Sequence, residues 1–285
     1  MIQSMTGYGK EVVQLPSKTI SIEIKSLNSK GLDLNTRVPS AYRDKELEIR
    51  DLLAKSLQRG KIDFSLYLEV TGEEVTTQVN EAVVKQYIKQ LANVVDGDPV
   101  ELLKMAVRMP DALKTGREEI DEGEYESILK GIDKALEEIN TYRTDEGSVL
   151  ENDFIERINT ISRLLDDVIV LDPERIDGVK ERLRKAVSEL KEKVDENRFE
   201  QELIYYLEKY DITEEKVRLK NHLEYFEGSL RSHDSNGKKL GFITQEIGRE
   251  INTIGSKANY APMQQIVVQM KDELEKIKEQ ALNVL

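Results

Sequence analysis

Residues 237–259 read GKKLGFITQEIGREINTIGSKAN, and their spacing predicts an amphipathic helix. Apolar residues recur every three or four positions and therefore share one face: Leu240, Ile243, Ile247, Ile251 and Ile254. An adjoining stripe carries Lys239, Glu246, Glu250 and Thr253. Glu246 and Glu250 are four positions apart, a like-charge spacing that destabilises an isolated helix by about 0.2–0.5 kcal/mol. The two carboxylates either point into solvent or are held by a cation.

The N-terminal part of the chain predicts a sheet. Residues 18–26 (KTISIEIKS) and 61–70 (KIDFSLYLEV) alternate apolar and polar side chains. Further strands are expected at 2–13 and 32–38, and residues 42–57 have helical spacing. Together they predict an α+β module with at least four strands.

From about residue 80 the strand signals end and helices are expected. They are predicted at 80–95, at 99–108, from about Glu124, and in a long stretch ending at Leu171. Asp172-Pro173 is typical of a helix start, because Asp caps well and Pro fits the first helical position. The next helix is expected to reach about Asn197, and the two long helices to form an antiparallel hairpin that projects from the body.

The predicted fold class is therefore α+β, in three parts. Residues 1–140 are predicted to form a mixed module, with strands mainly in 1–79 and helices in 80–140. Residues 141–200 are predicted to form a long helical hairpin. Residues 201–285 are predicted to form a C-terminal helical region. The last helix has a 4-3 apolar pattern typical of a helix seam, within the chain or between subunits: Met263, Val267, Met270, Leu274, Ile277, Ala281 and Val284.

Composition limits the function classes. Of 285 residues, 39% are hydrophobic and 34% charged, enough for a sizeable core and two domains. The absence of cysteine excludes disulfides, thiolate metal sites and a cysteine nucleophile, and fits a reducing cytoplasm. No signal peptide and no membrane span are expected. Without tryptophan and with 6% aromatic residues, any stacking platform for bases would be small.

The net charge of −13 is unevenly distributed. Residues 1–70 contain 11 basic and 9 acidic residues, so the acidic excess lies in the remainder. A local site for a polyanion is compatible with this distribution, and net charge alone does not decide the partner.

Candidate chemical groups are few. His222 lies at the margin of a predicted apolar stripe, seven positions after Glu215, whereas His233 lies in a polar segment expected to face solvent. One imidazole with two or three carboxylates suits Mn²⁺ or Mg²⁺. The alternative is a solvated charge ladder in which Glu246 and Glu250 pair with nearby Arg or Lys. No Gly-x-Ser-x-Gly or His-Glu-x-x-His motif occurs, which argues against serine hydrolases and zincins.

Several motifs together resemble the bacterial YicC/YloC family over essentially the whole chain. They are residues 4–9 (SMTGYG), residues 26–33 (SLNSKGLD), Tyr142-Arg143 with Glu146-Gly147, and residues 237–257. The resemblance implies a metal-dependent endoribonuclease that assembles as a ring-like homohexamer, with its lumen and helical arms closing around RNA.

The resemblance also implies that the C-terminal helical region, residues 201–285, carries catalytic and RNA-binding residues, and it implies roles for individual residues. The catalytic residues would be His222, Glu246 and Glu250, with Glu202 and Glu215 as further ligands of Mn²⁺ or Mg²⁺. Contacts to single-stranded or structured RNA would come from Arg37, Arg43, Arg59, Lys61, Arg218, Lys239, Arg249 and Lys257. The chain departs from the family pattern at Ser29-Lys30, Gly248 and Tyr260, so details at these positions are expected to differ.

Two mechanisms and two other function classes stay open from the sequence. The nucleophile is either a metal-activated water or the RNA 2′-hydroxyl, with His222 as the general base in the second case. The protein could instead be a non-catalytic RNA-binding adaptor or chaperone that works with another nuclease. A helical scaffold oligomer would show no RNA affinity even at low salt.

Overall fold

The computed structural model describes residues 2–70, 77–115, 121–189, 195–232 and 237–285. Among these residues no helix is long and apolar enough to span a bilayer. The predicted α+β class is confirmed, with a mixed sheet at the N-terminus and helices over most of the remaining chain.

The four predicted strands form one sheet in the order β1-β2-β4-β3. They are β1 (Gly7–Gln14), β2 (Lys18–Leu27), β3 (Leu32–Arg37) and β4 (Gly60–Val70). β3 and β4 are parallel and the other pairs antiparallel. The apolar residues of each alternating strand lie on one buried face, which packs against helix α1 (Glu46–Leu57) and the first part of a long helix described below.

A small subdomain follows the sheet. It contains strands β5 (Thr77–Val79) and β6 (Leu113–Thr115), which pair with each other, and helices α2 (Glu81–Ala92) and α3 (Pro99–Ala106). Both helices were predicted. Neither strand was, because a three-residue strand is too short for an alternating pattern.

Helix α4 (Glu122–Ser188) runs for 67 residues and joins the sheet module to the C-terminal helices. The predicted break at Asp172-Pro173 is wrong. Asp172 does not cap a new helix, because its carboxylate binds Arg175 at 2.7 Å and Lys216 at 2.6 Å. Pro173 faces solvent, and the helix continues through it.

The hairpin turn predicted at Asp172 is absent, and α4 meets the end of another helix at this position instead. The Arg175 guanidinium donates to the carbonyl oxygen of Tyr210, the residue that follows helix α5 (Glu196–Lys209). The end of α5 therefore lies beside Arg175 of α4. We call the segment of α4 after Arg175, together with α5, the arm; α5 has no buried residue.

The C-terminal region contains α6 (Thr213–Leu230), α7 (Gly237–Lys257) and α8 (Ala261–Ala281), which pack with the middle of α4 around the largest apolar core. The predicted apolar face of α7 is buried there. All seven residues of the 4-3 pattern in the last helix are buried in the same core. This packing lies within one chain, so the 4-3 pattern no longer supports an interface between subunits.

The N-terminal segment connects the sheet module with the C-terminal helices. Ser4 forms a β-bridge with Val284, and the Met5 amide donates to the carbonyl oxygen of Asn283 at 2.7 Å. The Thr6 hydroxyl donates to Glu146 Oε2 at 2.5 Å. Residues 4–6 are therefore held between α4 and the end of the chain.

Arg143 completes this junction from α4. Its side chain is 1% exposed and donates to Ser26 Oγ at 2.5 Å and to the carbonyl oxygens of Leu57 and Arg59 at 3.4 Å. Burial lowers the pKa of the guanidinium. Since these acceptors join β2, the end of α1 and the start of β4, the Arg143 and Glu146 motif has a structural role.

Candidate functional site

Helices α6 and α7 are antiparallel and are joined near both ends by side-chain contacts. Lys257, at the end of α7, places Nζ 2.8 Å from Glu215 Oε1 in the first turns of α6. Lys239, at the start of α7, places Nζ 5.4 Å from the ring centroid of Tyr225, near the end of α6. We call the strip of surface between these two contacts the α6–α7 seam.

Helical spacing places the predicted catalytic residues along this seam. On α6, His222 follows Glu215 by seven positions and precedes Tyr225 by three, so the three share one margin of the helix. On α7, Glu246 and Glu250 lie on the margin that also carries the two end lysines. Residues 20 to 40 positions apart in sequence are thus brought to one strip.

Both buried glutamates among the described residues belong to the seam. Glu215 is 8% exposed and Glu250 is 4% exposed. Glu215 Oε2 is buried without a hydrogen-bond partner, and the Glu250 side chain forms no hydrogen bond or ion pair with another described residue. A buried carboxylate without a cation is destabilising, so this arrangement favours binding of a positive group.

The Lys257 end of the seam is fixed by further contacts. Lys257 Nζ also donates to the backbone carbonyl oxygen of Asp211 at 2.9 Å. The Asp211 carboxylate accepts from the hydroxyl and the amide of Thr213, at 2.7 and 3.0 Å. These bonds, with the charges of Lys216 and Lys257, hold the pKa of Asp211 below its ordinary value. The start of α6 and the end of α7 are therefore held in fixed register.

Comparison with known proteins decides the family. The protein-family model described as "Endoribonuclease YicC-like, N-terminal region" matches residues 2–152. A second family model, described as "Endoribonuclease YicC-like, C-terminal", matches residues 168–285. The chain belongs to the YicC-like endoribonuclease family. The family resemblance carried by the sequence motifs is confirmed, and α4 spans residues 153–167, which separate the two matched regions.

Two curated relatives of the YicC-like family match over the full length of both chains. A protein of Clostridioides difficile strain 630 is 32% identical over 293 residues, and one of Haemophilus influenzae is 28% identical over 287 residues. Each is named "Probable endoribonuclease YicC". The seam lies wholly within the region matched by the C-terminal family model.

The structure places the other residues implied by the YicC-like family at several locations. Arg218 is exposed on α6 and pairs with Glu214 at 2.5 Å. Arg249 lines a polar groove on the other margin of α7, toward α8, together with Gln245, Gly248, Asn252, Thr253, Ser256 and Lys278. Glu202 lies on the arm, exposed and beside Arg198 and Tyr205, so it does not belong to the seam.

The N-terminal cations belong to the sheet module. Arg37, Arg43 and Lys61 are exposed, whereas Arg59 Nε donates to the carbonyl oxygen of Ser29 at 3.0 Å. These residues lie outside the seam within one chain. Their predicted contribution to an RNA path stays a prediction.

The described part of the chain contains no group of three His, Cys, Asp or Glu side chains close enough to hold a metal ion. The five predicted ligands are thus not assembled as one cluster within a single chain, and His233 lies outside the described residues. The seam still offers the unpartnered Oε2 of Glu215 and the buried carboxylate of Glu250. A single carboxylate of this kind suits Mg²⁺, which is usually bound through one or two carboxylates with water and phosphate completing its shell.

Sequence reasoning missed Tyr225 and Asp211 at the two ends of the seam. The signals were present: Tyr225 follows His222 by three positions on the same helix margin, and Asp211 precedes a helix start. Neither signal identifies a partner, because the contacts of Lys239 and Lys257 join segments of different helices.

Proposed function

We propose that this protein is a metal-dependent endoribonuclease that cleaves the RNA backbone at the α6–α7 seam. The observation that carries the proposal is Glu250, a carboxylate 4% exposed and without a cationic partner among the described residues. Such a group destabilises the fold unless a cation or proton compensates it, and its persistence is typical of a functional site. The substrate class follows from the relatives, both named probable endoribonucleases.

The residues of the seam suit phosphodiester cleavage. Glu250 and Glu246, one helical turn apart on α7, would hold Mn²⁺ or Mg²⁺, which when bound polarises a phosphate oxygen and lowers the pKa of a bound water. Lys257 and Arg218 would stabilise the negative charge that develops on the phosphate. His222 is half-buried on the same margin of α6, where it would accept or donate a proton.

The product identifies the nucleophile. Attack by the RNA 2′-hydroxyl, with His222 as general base, leaves a 2′,3′-cyclic phosphate. Attack by water leaves a linear phosphate and a hydroxyl. Analysis of the fragment ends therefore distinguishes the two routes.

The decisive experiment uses a labelled structured RNA with Mn²⁺, with Mg²⁺ and with EDTA. We expect cleavage that requires metal and that falls about 100-fold or more in Glu250→Gln. Glu224→Gln is the matched control, because Glu224 is exposed on α6 away from the seam. Intact RNA that nevertheless shifts on a gel with wild-type protein would overturn the proposal in favour of a non-catalytic RNA-binding adaptor.

The same proposal includes assembly of the chain into a ring-like oligomer, specifically a homohexamer. It is supported by α5, which has no buried residue and exposes Ile204 and Tyr205 to solvent. A ring would bring the basic residues of several acidic chains around one lumen. A monomer by light scattering at micromolar concentration would overturn this part and leave the nuclease proposal standing.

A further inference from the structure

Two exposed aromatic rings lie at the end of the seam opposite the Lys257–Glu215 ion pair. Tyr225 is 54% exposed and Phe242 is 59% exposed. Lys239 Nζ lies 5.4 Å from the centroid of the Tyr225 ring, a cation–π distance. Large aromatic side chains left in solvent beside a buried functional strip indicate a binding surface.

Helix geometry places both rings toward the same end of the seam. Phe242 follows Lys239 by three positions and precedes Glu246 by four, so the three side chains occupy neighbouring positions on one side of α7. Tyr225 occupies the margin of α6 that also carries His222. The Tyr225–Lys239 contact ties the two helices together here, so Tyr225 borders the seam and Phe242 lies one turn from Lys239 on the exposed side of α7.

The local charge suits a polyanion. Lys238 and Lys239, in the first turn of α7, supply positive charge beside the rings in a chain whose net charge is −13. Aromatic rings beside cations are the means by which proteins hold unpaired nucleic-acid strands: the rings stack on bases while the cations follow the backbone.

We propose that Tyr225 and Phe242 form a stacking platform for an unpaired base of the RNA strand that enters the seam. This inference rests on the proposed nuclease function and defines its substrate class as single-stranded RNA, including loops. A base within a continuous A-form duplex is stacked between its neighbours and does not reach the platform. The absence of tryptophan leaves Tyr and Phe as the available large rings.

The test uses a single-stranded RNA oligonucleotide with 2-aminopurine at successive positions, and the same strand annealed to its complement, both in EDTA to prevent cleavage. We expect wild-type protein to quench 2-aminopurine in the single strand and not in the duplex. Tyr225→Ala and Phe242→Ala should each weaken binding of the single strand about tenfold. Tyr225→Phe should restore binding, since the ring is kept.

Tyr142→Ala is the control, because Tyr142 is 50% exposed on α4 away from the seam. Unchanged binding and quenching in the two alanine variants would overturn the platform, as would equal losses for single strand and duplex. A change of oligomeric state in the variants would also overturn it, since the rings would then belong to a subunit interface. Quenching that is lost in the variants while wild-type protein cleaves no RNA with Mn²⁺ would support the platform and reject the nuclease.

Discussion

Gly147 of α4 contacts the backbone of Ile2 so closely that only glycine fits. A Cβ at this position would lie 2.1 Å from the carbonyl oxygen of Ile2 and 2.9 Å from the Cα of Gln3. The N-terminal segment is held against α4 here and pairs with the end of the chain through Ser4 and Val284. One close approach therefore connects the sheet module with the C-terminal helices.

Gly147→Ala should destabilise the protein by about 1–3 kcal/mol, because the added methyl group meets backbone atoms that cannot move without breaking the junction. Gly178→Ala is the control in the same helix. A Cβ at Gly178 meets nothing within 4 Å, so alanine there should raise the free energy of unfolding by about 0.5–1 kcal/mol. Urea denaturation measures both, and equal effects of the two substitutions would contradict the expectation.

A buried ion pair holds the start of the arm in place. Arg175 is 3% exposed and Asp172 is 8% exposed, and Lys216 binds the second carboxylate oxygen. Asp172→Asn leaves both cations without this carboxylate, although Arg175 keeps its bonds to two carbonyl oxygens. We expect a loss of about 2–4 kcal/mol in the free energy of unfolding.

The same substitution should increase the mobility of the arm relative to the rest of the chain. Hydrogen exchange should rise first in residues 176–188 and in α5, since α5 has no buried residue to hold it. Asp177→Asn, which removes an exposed ion pair with Lys180 in the same helix, should leave both stability and exchange nearly unchanged. Faster exchange spread evenly over the molecule would argue against a local hinge.

Local periodicity predicted most of the elements because it records which face of each strand or helix is buried. The alternation in β2 and β4 and the apolar face of α7 are examples. The break at Asp172-Pro173 was wrong because a tertiary contact overrode a local signal: Arg175 and Lys216 occupy the carboxylate that would otherwise cap a helix.

The seam was predictable only in part, for the same reason. The sequence placed Glu246 and Glu250 on one margin of α7 and His222 on a margin of α6, but it did not predict that these two helices pack against each other. The register depends on Lys257 and Glu215, which are far apart in sequence and meet through packing of α6 on α7. Glu202 shows the converse: its residue type suits a ligand, but it lies on α5 beside Arg198 and Tyr205, outside the seam.

Asp211 gives the start of α6 an acid-sensitive contribution to stability. Its bonds to Thr213, together with Lys216 and Lys257, hold its pKa below the ordinary value of 3.8. A carboxyl group with a lowered pKa in the folded state stabilises the fold above the unfolded pKa, and this contribution is lost as the pH falls through the folded value.

Asp211→Asn should therefore lower the free energy of unfolding at pH 7 by about 1 kcal/mol, because a neutral amide oxygen accepts weaker hydrogen bonds from Thr213 than a carboxylate does. The difference from wild type should shrink below about pH 4, where the wild-type carboxylate also becomes protonated. Denaturation curves of both proteins at pH 7, 5 and 3.5 measure this difference in the free energy of unfolding. A difference that is constant over this range would show that the charge of Asp211 contributes nothing.

Glu250 should make the protein less stable than its glutamine variant when metal is absent. The side chain is 4% exposed and has no cationic partner among the described residues, so replacing its charge by a neutral amide removes a desolvation penalty. In EDTA we expect Glu250→Gln to raise the free energy of unfolding by about 0.5–2 kcal/mol, the usual gain when a functional group is neutralised.

Addition of Mn²⁺ or Mg²⁺ should reverse the order. Wild type gains stability from a ligand that binds only the folded state, and the gain grows with the logarithm of metal concentration. Glu250→Gln should gain much less, and Glu224→Gln should respond as wild type does. If Glu250→Gln were less stable than wild type in EDTA, the carboxylate would have a structural partner and the seam would not be a cation site.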